Sequence, residues 1–103
     1  MIFIETPIFT EDMKELLSDD EYAEFQEYLA DNPLAGDVIQ QTGGLRKVRW
    51  SSQGKGKRGG VRIIYYYVTP ASQIRLLLIY KKGIQDDLTA DQKKMLRQLN
   101  ERW

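Results

Sequence analysis

Val61-Arg62-Ile63-Ile64-Tyr65-Tyr66-Tyr67-Val68 is an eight-residue run of β-branched and aromatic side chains, broken only by one arginine. Such side chains fit the pleated, half-buried surface of a sheet, so the run predicts a long strand. On its N-terminal side lies Ser51 to Gly60 (SSQGKGKRGG), with four glycines and three bases in ten residues, which predicts irregular chain. On its C-terminal side Thr69-Pro70-Ala71-Ser72 reads as a turn. Leu45 to Trp50 before it and Ile74 to Tyr80 after it are two more strand patterns. Three strands with short links predict an antiparallel meander.

Moving outward, Ile2-Phe3-Ile4 predicts a first short strand. Thr6-Pro7 then reads as a helix start, with Phe9, Met13, Leu16 and Leu17 at helical spacing. Ser18-Asp19-Asp20-Glu21 has the spacing of a capping box, in which hydroxyl and carboxylate satisfy free N–H groups reciprocally. It opens a second helix with Tyr22, Phe25 and Leu29 on one stripe, and Asn32-Pro33 stops it, because proline disfavours α geometry in the residue before it. Residues 33–44, with Pro33, Gly36, Gly43 and Gly44, read as a connecting loop. Thr89-Ala90-Asp91-Gln92 is a second capping box, starting a last helix with Leu96, Leu99 and Trp103 on one stripe. The order is strand, two helices, three strands, helix. It predicts one α+β domain over residues 1–103, its helices packed on a small antiparallel sheet.

The 15 basic and 15 acidic side chains cancel, but they are not mixed. Residues 1–40 hold eleven acids and one base, and residues 41–103 hold fourteen bases and four acids. From Val38 to Gln85 there is no acid in 48 residues, while ten bases fall between Arg46 and Lys82. Natural surfaces usually intersperse the two signs, so this segregation points to a polyanionic partner that the net charge of zero would have hidden. The chain has no Cys and no His. That excludes disulfides, thiolate catalysis and cysteine zinc sites, and removes the commonest general base. The Met-Ile-Phe-Ile-Glu start lacks a basic signal-peptide region, and the longest apolar run, Ile63–Val68, is too short to span a bilayer. A cytoplasmic protein without membrane contact is the expectation.

Strand alternation points Lys47 and Arg49 the same way, puts Arg62 on one face of a neighbouring strand with Ile64 and Tyr66, and puts Arg75, Leu77, Ile79 and Lys81 on one face of the last strand. A concave patch of Lys47, Arg49, Arg62 and Lys81 or Lys82, rimmed by Lys55, Lys57 and Arg58, would bind phosphate oxygens through charge-assisted hydrogen bonds. Arg46 adds to the same basic run, and Trp50 and Tyr66 are available for base stacking, which suits single-stranded RNA. Tyrosines at alternate strand positions also suit core packing, and bases on a sheet edge also guard against aggregation. The Gly54 to Gly60 loop is not a phosphate-binding P-loop, since Lys57 is followed by Arg58 and then by a strand. Asp86-Asp87 is the one adjacent acidic pair on the basic side; it lacks neighbours for a metal site and reads as charge before the last helix.

Gly43-Gly44-Leu45-Arg46-Lys47-Val48-Arg49, Gly54-Lys55-Gly56-Lys57-Arg58-Gly59-Gly60, Arg62-Ile63-Ile64-Tyr65-Tyr66 and Leu78-Ile79-Tyr80-Lys81-Lys82 resemble the RelE/HigB toxins of type II toxin–antitoxin systems, specifically the HigB-like branch. The Asp31 to Ile39 lead-in extends the resemblance over nearly the whole chain. It implies a RelE-like microbial RNase fold and metal-free, cofactor-free cleavage of mRNA in the ribosomal A site, which inhibits translation. It implies attack of the ribose 2′-hydroxyl on the adjacent phosphate with departure of the 5′-oxygen. It matches Lys47 and Arg49 to the paired bases of the second strand, Arg62 to the arginine after the loop, and Lys81 or Lys82 to the base ending the last strand. It implies a cognate antitoxin, HigA-like with a helix-turn-helix domain. Gly83 to Leu88 has no Tyr where RelE carries one near its final helix. A lysine among other cations can serve as a base, and arginines stabilise charge developing on a phosphorane, so this chemistry needs no histidine. The rival reading is a module that holds RNA or the ribosome on the same face without cutting, and a third is a catalytically lapsed toxin that only engages its antitoxin.

Overall fold

The computed structural model describes residues 1–51, 60–83 and 87–103. Lys55, Lys57, Arg58 and Asp86 lie outside the described residues. A mixed five-stranded sheet runs in the order β1-β5-β4-β3-β2. Its strands are β1 (Ile2–Glu5), β2 (Asp37–Val38), β3 (Arg46–Trp50), β4 (Val61–Val68) and β5 (Gln73–Lys81). The helices are α1 (Pro7–Leu16), α2 (Asp19–Asp31) and α3 (Ala90–Glu101). β3, β4 and β5 form the expected antiparallel meander, with a short 3₁₀ turn at Thr69–Ala71. β1 joins β5 in parallel, so the sheet is antiparallel except at that edge. The loop expected over 33–44 contains the two-residue β2, paired with Arg46 and Lys47.

The helix starts follow their sequence signals. Thr6 caps α1, Ser18 and Glu21 close a capping box on α2, and Thr89 and Gln92 close one on α3. The sheet separates two layers. Beneath α1 and α2, Phe9, Phe25, Leu29, Val48, Ile63, Tyr65, Ile74 and Leu76 form the larger core. Beneath α3, Leu45, Ile64, Leu77 and Leu88 form a smaller one, with Tyr80 and Leu96 at its margin. β4 is therefore apolar toward both layers, as a central strand covered on both faces must be.

Two local departures decide the geometry of the α3 face. Tyr65 pairs with Leu76 and Ile64 pairs with Leu78, so Leu77 is an extra residue in β5. A bulge of this kind breaks the two-residue alternation. Leu77 and Leu78 both belong to the α3-side core, and every later residue of β5 sits on the face opposite to the one that alternation predicts. The bulge is anchored by Thr6, whose N–H donates to Leu76 O at 3.0 Å and whose hydroxyl donates to Leu77 O at 2.8 Å. In α3 the predicted stripe is rotated. Leu96 packs inward, but Leu99 and Trp103 are 44% and 39% exposed, and Asn100 is buried in their place. Arg75 Nη1 donates to both Asn100 O and Asn100 Oδ1 at 3.1 Å, and its guanidinium lies 5.2 Å from the Trp103 ring centroid. A polar residue can face inward where its polar atoms are satisfied. No helix of the described residues is long and apolar enough to cross a membrane.

Candidate nucleic-acid interface

Cross-strand partners share a face, so the β-register assigns each base to a layer. Lys47 pairs with Ile64, Arg49 with Arg62, and Arg62 in turn with Tyr80. Ile64 and Tyr80 belong to the α3-side core, so Lys47, Arg49 and Arg62 stand together on that face, at its end nearest the Ser51–Gly60 segment. Directly opposed like charges destabilise a sheet, yet two arginines are paired here. Among the described residues neither has a carboxylate within ion-pair distance. Arg62 Nη1 donates weakly to Val61 O at 3.4 Å.

Of the alternatives Lys81 and Lys82, the bulge separates the two. Lys81 pairs with Val61, a core residue beneath α1 and α2, and so lies on the far face of the sheet. Lys82 follows on the near face. Its N–H donates to Gly60 O at 2.9 Å, and a Cβ placed on Gly60 would lie 3.4 Å from Arg62 Nη1 and 3.8 Å from Lys82 Cβ. The Arg62 guanidinium and the Lys82 stem therefore both lie beside Gly60, each at ordinary contact distance from that point. The expected face of Lys81 with Leu77 is corrected, because the alternation it assumed breaks at Leu77.

Two further residues expected on the basic face point to the helical layer instead. Trp50 lies between Phe25 and Tyr28, with ring centroids 5.5 and 5.3 Å away, and is a core residue rather than an open stacking surface. Arg46 Nη1 donates to Gly36 O at 2.7 Å and also reaches Leu34 O. Tyr65 completes this clamp, its hydroxyl donating to Pro33 O at 2.8 Å and accepting from Gly36 N–H at 3.0 Å. Burial pushes the Tyr65 phenol above its ordinary pKa of 10, and the Gly36 N–H and Arg46 partly oppose the rise. A Cβ on Gly36 would come within 2.8 Å of Lys47 O, so the loop approaches β3 closely only with glycine there. The clamp thus supports the strand that carries Lys47 and Arg49. Tyr66 is on the α3 face, half-buried beneath Gly44 and 5.8 Å from Arg75. It stands four residues from Arg62, about 13 Å along the strand.

No protein-family model matches the chain. Among solved structures it is similar to the crystal structure of the isolated E. coli RelE toxin, with a TM-score of 0.57 over 95% of this chain and 97% of that one at 10% identity. The chain has a RelE-like fold. At that identity the likeness is one of topology, and what the RelE-like scaffold presents depends on this chain's own side chains.

Between β2, β3 and the start of α3, the RelE-like fold leaves a groove of about 830 Å³ lined by Asp37, Gln40, Lys47, Arg49, Asp87 and Lys93, among others. Lys47 Nζ lies 3.4 Å from Asp87 Oδ1, with the Asp87 side chain 87% exposed. Asp87 therefore meets the basic face as well as preceding α3. Lys93, on the first turns of α3, was not marked by any pattern in the sequence. It reads as one of several helix-surface bases until α3 is folded back over the sheet.

Proposed function

We propose that the chain is the toxin of a type II toxin–antitoxin system, of the HigB-like branch, acting as a ribosome-dependent mRNA endoribonuclease in the cytoplasm. The observation that carries this reading is the directly opposed Arg49–Arg62 pair beside Lys47 on one open face of a RelE-like fold. A sheet is destabilised by such a pair, and a phosphodiester placed between the two guanidiniums would relieve it. Arg62 holds a phosphate oxygen and stabilises the charge of the phosphorane, the role in which fixed cations contribute most. Arg49, always protonated, orients the ribose 2′-hydroxyl, and Lys47 orients it or takes its proton. That oxygen attacks the adjacent phosphorus without a metal ion, the P–O5′ bond breaks, and the products are a 2′,3′-cyclic phosphate and a 5′-hydroxyl. Of the two candidates Lys81 and Lys82, it is Lys82, beside Gly60 with Arg62, that hands the leaving O5′ its proton in this reading. Lys55, Lys57, Arg58 and Tyr66 complete the RNA-binding set, while Arg46 and Trp50, which the sequence also offers for it, face the helical layer and are left out. Ribosomal positioning of the mRNA compensates for a weak intrinsic acid–base set. The partner that restrains such a chain is an antitoxin, HigA-like with a helix-turn-helix domain, masking the cationic face.

Induced expression with mapping of mRNA 5′ ends tests the proposal. Wild type is expected to arrest growth and create new 5′ ends within translated codons, and Arg62→Ala to abolish them while still associating with ribosomes. Growth arrest without new 5′ ends would leave a binding module in place of an enzyme.

A further inference from the structure

The groove at the β3 edge holds more charge than the proposed chemistry uses. β2 pairs only with Arg46 and Lys47, so the outer edge of β3 beyond Lys47 opens into it. Lys47 and Arg49 enter from the sheet and Lys93 from α3, facing the carboxylates of Asp37 and Asp87. The other α3 bases are disposed differently. Lys94, Arg97 and Arg102 are exposed, and Arg97 is engaged by Glu101 at 3.2 Å, whereas Lys93 is half-buried with its side chain against the groove. A lysine buries its stem and keeps its ammonium where an anion can reach it. The lining cations outnumber the lining carboxylates by one, and by two once Asp87 swings away.

We infer that Lys93 is a further phosphate-binding residue of this face, and that Asp87 competes inside the groove for the cation an RNA phosphate would take. The inference rests on the RNA reading above and extends it to the nucleotide beside the scissile one. Asp87 suits a competitor rather than a permanent partner. Its carboxylate is almost fully exposed and 3.4 Å from the ammonium, and exposed pairs of that kind are worth at most about fivefold in an equilibrium. An incoming phosphodiester, held by Lys47 and Lys93 together, displaces it. The groove volume of about 830 Å³ accommodates a nucleotide.

The test is direct binding of a single-stranded hexanucleotide fully 2′-O-methylated, which cannot be cut, followed by fluorescence anisotropy from low to high salt. Lys93→Ala and Lys93→Gln are expected to weaken binding at least fivefold and to lower the slope of log affinity against log salt by about 0.7, one phosphate contact on a single strand. Asp87→Asn is expected to tighten binding two- to fivefold at low salt, the gain fading as salt rises. Lys94→Ala, on the exposed side of the same helix, should match wild type. Circular dichroism confirms that each variant folds, and Lys93→Gln keeps the stem packing should the alanine variant not fold. Wild-type affinity and slope in both Lys93 variants overturn the subsite, absence of tightening in Asp87→Asn overturns the competitor, and failure of wild type to bind the oligonucleotide overturns both. A chain that binds the oligonucleotide as described but creates no mRNA 5′ ends on ribosomes sinks the nuclease and leaves the subsite standing.

Discussion

On the side of β4 turned to α1 and α2, Val61, Ile63 and Tyr65 are at most 2% exposed and pack against Phe9, Phe25 and Leu29. On its opposite side the same strand carries Arg62, set against Arg49, before Ile64 and Tyr66 return to apolar packing. One face consistently buries apolar area, and the other keeps a repulsive charge pair that no stability argument favours. Consistency across levels marks structure, and local violations of it mark sites. The charge division follows the same line. The acids of residues 11–31 lie on α1 and α2, while the bases of β3, β4 and Lys82 stand on or beside the sheet. Phosphate recognition depends on the local field, so a chain of zero net charge can present a cationic face to RNA.

The two faces should therefore fail in different ways. Phe25→Ala, on the packed side, is expected to cost about 3–5 kcal/mol in urea unfolding while leaving cleavage per folded molecule unchanged. Arg62→Ala should do the reverse, lowering cleavage of ribosome-bound mRNA about 10²–10³-fold with a melting temperature equal to or above wild type, since the repulsion with Arg49 is gone. A melting temperature that drops as far as that of Phe25→Ala would break the contrast between the faces. Lys82→Ala is expected to lower cleavage about tenfold or more, the worth of a charge-assisted hydrogen bond, and Lys81→Ala to leave it within about twofold. Equal losses would mean that the bulge does not sort the two lysines.

Tyr65→Phe sharpens the comparison from within the packed side. It leaves Pro33 O and Gly36 N–H without their partner and should cost about 1–3 kcal/mol, with a smaller loss of cleavage because the clamp supports β3. The smallest effect is on pH. Tyr22, pushed up by burial and by its hydrogen bond to Glu5, and Tyr65, pushed up by burial, both hold their protons above the ordinary value of 10. The unfolded chain releases those protons first, so the stabilisation is complete below pH 10 and is lost as pH rises beyond it. The urea midpoint should fall between pH 9 and pH 11, and fall less in Tyr22→Phe. An unchanged drop in that variant would remove Tyr22 as a cause.

Much of this fold is legible locally. The capping boxes at Ser18 and Thr89, the Pro33 stop, the β-branched run of β4 and the three-strand meander all rest on interactions within a few residues, and each stands where the pattern places it. The candidate site was legible only where alternation was unbroken. Lys47, Arg49 and Arg62 lie on regular strand and share a face as expected. Lys81 and Lys82 follow an extra residue that nothing in Ile74 to Tyr80 announces, because the bulge at Leu77 is held by Thr6, 71 positions away. Trp50 and Arg46 offer RNA an aromatic ring and a positive charge by residue type, but α2 and the Pro33–Gly36 loop absorb them.

By itself the sequence determined the helices and every strand but the short β2, their order and the segregation of charge, since propensity, capping and periodicity act over a few residues. Tertiary structure alone decided that β1 lies parallel to β5, that α3 covers the face opposite α1 and α2, and that Lys82 rather than Lys81 joins Arg62. It also decided that Asp87 and Lys93 line the same groove as Lys47 and Arg49. These outcomes depend on contacts between residues tens of positions apart, where one inserted residue or one satisfied polar group reverses which side of a strand or helix faces the site.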